Sequence, residues 1–164
     1  MTPILPNRLD WPSAIGNFIL NYGVLDWYVF VFLESRMPPD AFAKIKNEHF
    51  QDRIARVKEF VDGFHYSREQ EHAFATFFER LEPIRKLRNN IAHGHLLVRV
   101  AEDGKSPVLI LSQPKDLDVN YAVETRQLEF AELTSALNEL TALIERFQEL
   151  SGGWHNEVST EGNS

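Results

Sequence analysis

Apolar residues recur at three- and four-residue steps in four separate stretches of this chain, and that period most constrains its fold. In the first stretch Ile15, Phe18, Ile19, Tyr22, Leu25, Val29, Phe32 and Leu33 line one face of a helix predicted from Pro12 to Glu34. Asp10 stands where a cap belongs, and Pro12 suits a first helical turn. Pro38-Pro39 stops this helix, and Asp40 is placed to cap a short turn over Ala41 to Lys46. Phe50, Ile54, Val57, Phe60 and Phe64 predict a second helix over Phe50 to Gly63.

A third helix opens on Ser67-Arg68-Glu69-Gln70, the pattern of a capping box, and continues through Phe74, Phe77, Phe78, Leu81, Ile84, Leu87 and Ile91. Pro83 removes a backbone donor and is expected to kink or split it, and Gly94 ends it. The period then changes. Leu96 to Val100 and Val108 to Leu111 are aliphatic and β-branched, and the Asp103-Gly104 pair between them signals a hairpin turn. A weaker strand signal lies at Tyr121 to Thr125. Phe130, Leu133, Leu137, Leu140, Ile144 and Phe147 define a last helix over Leu128 to Leu150. The expected class is mainly α: a bundle of about four helices with a small β-hairpin inserted before the last helix. Residues 1–150 are read as one domain, and the polar stretch 151–164 after it as a disordered tail.

The 164 residues suffice for a core, with 43% of them apolar, and the chain has no cysteine, so no disulfide or thiolate chemistry is available. The run Val24 to Leu33 is interrupted by Asp26 and is short for a bilayer, and Met1 to Pro6 lacks a basic, apolar leader. A cytoplasmic protein away from membranes is expected. The net charge of −7 disfavours sequence-blind binding of nucleic acid. One window runs against that balance: within 80–99, Arg80, Arg85, Lys86, Arg88 and Arg99 face Glu82 alone, a local charge of +4 that also encloses His93 and His95.

Within this island Asn89 and His93 are four residues apart and lie ~40° from each other on a helix, whereas Arg88 and His93 are separated by ~140°. Arg85 lies one turn below Asn89. Two copies packed across a two-fold axis bring an arginine to an imidazole where a single helix does not. Such groups suit phosphodiester cleavage in RNA. Histidine moves protons near neutral pH, and an arginine fork stabilises charge on phosphorus. The negative end of the helix dipole suits a proton-donating or electrostatic role for His93. Arg, Asn and His beside a helix-ending glycine are also ordinary groups for bonding the last carbonyls, so both readings stand on spacing alone.

The string Leu87-Arg88-Asn89-Asn90-Ile91-Ala92-His93-Gly94 resembles the signature of the HEPN superfamily (higher eukaryotes and prokaryotes nucleotide-binding), an arginine followed by a polar residue and, after four to six positions, a histidine. The resemblance is specific over about eight residues; in outline it extends to the helical plan. It implies a homodimer with the motif in the dimer cleft and, in active members, metal-independent endoribonuclease activity without a cofactor. Arg88 would then hold the phosphate, His93 transfer protons and Asn89 support both, with Arg85, Lys86 and His95 contacting RNA. Many such proteins are toxins or defence factors controlled by an antitoxin protein. The alternative is a non-catalytic module of the same type that binds nucleotide, RNA or protein. Asp26 and Glu34 are further candidates for lining the cleft; the ordinary alternative is that Asp26 is half-exposed or paired with an arginine such as Arg88. His65 with His72, and His93 with His95, lack the spacing and further ligands of a metal site. Trp11, Trp27 and Trp154 show no interleaving with basic residues and are read as core.

Overall fold

A computed structural model describes residues 10–63, 66–99, 108–114 and 123–152. Five helices and three strands follow one another: α1 (Trp11–Arg36), α2 (Pro39–Ile45), α3 (Phe50–Gly63), α4 (Arg68–His93), β1 (His95–Arg99), β2 (Val108–Pro114), β3 (Val123–Leu128) and α5 (Phe130–Leu150). The chain is mainly α, with an antiparallel hairpin before the last helix, and β3 extends that hairpin to a sheet of order β1-β2-β3.

The helix starts follow local chemistry. Asp10 accepts the Ser13 N–H at 3.1 Å, and the capping box at α4 closes in both directions. Gln70 N–H donates to Ser67 Oγ at 3.2 Å, and Ser67 N–H donates to Gln70 Oε1 at 3.1 Å. Hydrogen bonds from Ser13, first its side chain and then its backbone, hold the Asp10 carboxyl below its ordinary value. Because the folded-state value is depressed, this cap is complete above the ordinary carboxylate range and is lost as pH falls through the depressed value. Acidification is expected to shift the Ser13 amide resonance in step with the carboxyl, and Asp10→Ala to abolish that titration; an unchanged titration in the variant would assign it to another group.

Asp40 does not cap α2. Pro39 takes the first helical position, which needs no N–H, and Asp40 lies inside the first turn, where the helix dipole favours its charge. Pro83 does not split α4, which runs unbroken from Arg68 to His93 with Pro83 inside. Helix α5 begins at Phe130 rather than Leu128, because Leu128 closes β3 opposite Leu109. The expected turn at Glu102–Lys105 lies outside the described residues, as do Phe64, His65, Trp154 and the stretch from 153 onward.

The described residues fall into two compact units, one within Met1–Asn21 and Pro83–Leu140, the other within Tyr22–Glu82 and Thr141–Ser164. The first holds the sheet. Leu109 and Leu111 alternate inward along β2 and are buried, as is Leu128 across from Leu109. Trp11 and Phe130 meet edge to face at 5.2 Å in the same unit. The core of the second unit is aromatic: Phe147 of α5 lies 5.7 Å from Phe32 of α1 and 5.3 Å from Phe77 of α4. At its side Arg53 of α3 forms an ion pair with Asp26 of α1, with Nε donating at 3.2 Å.

On α1, Phe18, Tyr22, Leu25, Val29, Phe32 and Leu33 are buried as the period predicts, while Ile15 and Ile19 are half-buried. The helix is longer than the run Val24 to Leu33 suggested, since Asp26 does not interrupt it. By length and composition, with a mean hydropathy of 1.3, it is long and apolar enough to cross a membrane. A helix at the centre of a protein core meets the same test. The opposite face of α1 is also apolar: Leu20, Val24 and Trp27 are 70%, 42% and 61% exposed. Trp27 is thus a surface residue, contrary to its reading as core, because it lies ~160° around the helix from Leu25.

Candidate functional site

The last turns of α4 are oriented by three buried residues. Ile84, Leu87 and Ile91 recur at three and four positions and are nearly inaccessible, so they fix the inward face. Measured from Ile91, Arg88 lies ~60° around the helix and Arg85 ~120°, whereas Asn89, His93 and Lys86 lie ~140–160° to either side, on the face away from the core. The accessibilities agree with this placement. Arg85, Arg88 and Asn89 are half-buried, and Lys86 and His93 are exposed. Arg88 Nη1 donates to Asn89 Oδ1 at 3.2 Å, while its Nε is buried. Asn89 is thus one partner of the guanidinium, a bond that limits the rotamers of a long side chain.

One chain brings together Lys86, Asn89 and His93 on a single outward stripe, with Arg85 and Arg88 on its flank. Arg88 and His93 remain on different sides of the helix, as the spacing predicts. Gly94 N–H closes the helix onto the Asn90 carbonyl at 3.0 Å, and the chain passes at once into β1. His95, counted with the RNA-contacting residues, is the first residue of β1 and is paired in register with Ser112. It belongs to a sheet edge and not to the stripe.

Asp26 does not partner Arg88. Its carboxylate is taken by Arg53, which reaches it from α3 and also donates to the Glu48 carbonyl. Glu34 is exposed near the end of α1. His72 is exposed on α4, and among the described residues no three His, Cys, Asp or Glu side chains are grouped as a metal site requires. Two features escaped the sequence reading. The exposed stripe Leu20, Val24 and Trp27 was legible as a second apolar row at steps of four and three on α1. A groove between α3 and α4 was not, because it depends on how two helices pack.

Comparison with protein-family models, with curated proteins and with solved structures finds no match to this chain.

Proposed function

We propose that this protein is a HEPN-type, metal-independent endoribonuclease that acts as a homodimer. The observation that carries the reading is the end of α4: an accessible imidazole, a guanidinium steadied by its neighbouring amide, and two further cations within nine residues. In RNA cleavage of this kind the 2′-hydroxyl attacks the adjacent phosphorus as it loses its proton. The bond to the 5′-oxygen breaks, and that oxygen takes up a proton. The products are a 2′,3′-cyclic phosphate and a free 5′-hydroxyl. His93 serves either proton transfer, Arg88 stabilises the negative charge on phosphorus, and Arg85 and Lys86 hold neighbouring phosphates.

The chemistry needs a second copy, because Arg88 and His93 of one helix face different ways. Helix α1 supplies a surface suited to association: three of the four large apolar side chains exposed among the described residues stand on it in one row. Control by an acidic or otherwise complementary antitoxin protein fits a cytotoxic ribonuclease and forms part of the proposal.

The test is cleavage of end-labelled single-stranded and hairpin RNA in excess EDTA, with His93→Ala purified in parallel to expose contaminating nuclease. Cleavage that persists in EDTA and leaves 2′,3′-cyclic phosphate ends is expected. An absolute requirement for a divalent cation, or equal cleavage by the variant, would overturn the reading. No cleavage by a folded, dimeric wild type would instead assign the motif to binding without catalysis.

A further inference from the structure

A second surface, independent of the α4 stripe, lies in the unit that contains α3 and the first half of α4. These helices enclose an open groove of about 1000 Å³. Its floor is apolar, made by Val61 of α3 and by Phe74 and Phe78 of α4. Along α4 the lining runs from Arg68 to Glu82, a band four turns long, or ~21 Å. Ala75 sits midway and is exposed, so nothing larger than a methyl group stands between an approaching backbone and the floor at that point.

The rim is acidic. Asp62, Glu71, Glu79 and Glu82 line the groove against the two formal cations Lys58 and Arg68. The groove already holds a cation on an aromatic face, since the Lys58 ammonium lies 4.9 Å from the Phe78 ring centroid. A short apolar floor of Phe74, Ala75 and Phe78, set between carboxylates that recur along four turns of α4, is complementary to a helix with an apolar centre and basic flanks. It repels a polyanion, because phosphates would meet the carboxylates first.

We propose that the groove between α3 and α4 docks a basic amphipathic helix of a partner protein. The apolar face of that helix lies on Phe78 and across Ala75, and its lysines or arginines meet Glu71 and Glu79. This assigns a protein-binding role to residues other than Arg88 and His93, and it holds whether or not the chain cleaves RNA.

A fluorescein-labelled peptide of about 18 leucines and lysines in helical period, ~27 Å long as a helix, is the probe, with a scrambled isomer of the same composition beside it. Fluorescence anisotropy should show saturable binding to the full chain and weaker binding of the isomer. Two variants are read against wild type: Glu71→Lys/Glu79→Lys, which reverses the rim, and Ala75→Trp, which fills the groove without changing charge. Each should weaken binding by about tenfold or more, the first by turning two attractions into repulsions. The pair Glu129→Lys/Glu145→Lys, exposed on and beside α5, makes the same change in net charge elsewhere and should leave binding within about twofold. Circular dichroism confirms that each variant is folded. Absence of saturable binding by wild type, equal weakening by the distant pair, or binding insensitive to Ala75→Trp would overturn the proposal. So would tight binding of a labelled single-stranded RNA that is lost in the two groove variants.

Discussion

Phe147→Ala should destabilise the protein by about 3–5 kcal/mol, the largest loss expected from a single side-chain truncation here. Phe147 is completely buried, and its ring is shared between two others, Phe32 from α1 and Phe77 from α4. Phe32 in turn meets Phe60 of α3 edge to face at 5.6 Å. One ring thus joins α5 directly to two helices and indirectly to a third. Truncation removes the transfer energy of the ring and also leaves a void, because the two flanking rings, Phe32 and Phe77, cannot collapse into it without leaving their rotamers. Against a total stability of ~5–15 kcal/mol, such a loss brings the chain near its unfolding threshold. Urea titration followed by far-UV circular dichroism measures it. The midpoint should fall sharply with an unchanged slope, while Glu145→Ala, exposed two residues away on the opposite side of the same helix, should shift stability by no more than ~0.5 kcal/mol. A loss below ~1 kcal/mol for Phe147→Ala would mean that the aromatic cluster is not the core of this unit.

Much of that core was readable from period, because burial in a helical protein repeats every three to four residues; Val61 and Leu143, buried but outside the predicted stripes, and Phe60, Phe78 and Leu137, predicted but half-buried, depend on how the helices pack. The helix starts at Asp10 and Ser67 were readable for a different reason: a cap is a local bond between residues three apart, and distant contacts do not enter. What failed was set by competition between elements. Leu128 fits the period of α5 equally well, but it pairs across from Leu109 and so is claimed by β3. Asp26 lies beside an apolar face and invites pairing with any arginine; that Arg53 supplies it follows from the packing of α3, which no spacing within α1 reports. Trp27 was read by residue type, although its angle around α1 already placed it opposite Leu25. At the candidate site, residue spacing predicts angles well and environments poorly. The ~140° between Arg88 and His93 follows from counting residues, but the Arg88–Asn89 hydrogen bond depends on rotamers.

Equal mixing of Arg88→Ala and His93→Ala proteins should restore about a quarter of the wild-type ribonuclease activity per protomer, although each variant alone should lose about 10²–10⁴-fold. The argument is geometric. If each active centre takes Arg88 from one copy and His93 from the other, a homodimer of either variant has two crippled centres. In a mixed dimer, one centre lacks both groups and the other has both. Half of the dimers are mixed at equal stoichiometry, and each has one of two centres intact. If both groups instead come from one chain, no combination of the variants contains an intact centre, and mixing restores nothing. The proteins must exchange subunits first, which brief denaturation and co-refolding accomplish. The apolar row on α1 supplies the control: Leu20→Glu places a charge on a surface residue that is 70% exposed in the single chain, so it spares the fold and acts on association. In that background sedimentation should show monomers, and co-refolded Arg88 and His93 variants should stay inactive. Rescue without Leu20→Glu and none with it would assign both the shared centre and the surface that assembles it. Rescue that survives Leu20→Glu would keep the shared centre and move the dimer contact away from α1. Without rescue in the parent background, the two-copy centre falls, and with it the reading of Arg88 and His93 as partners in one reaction.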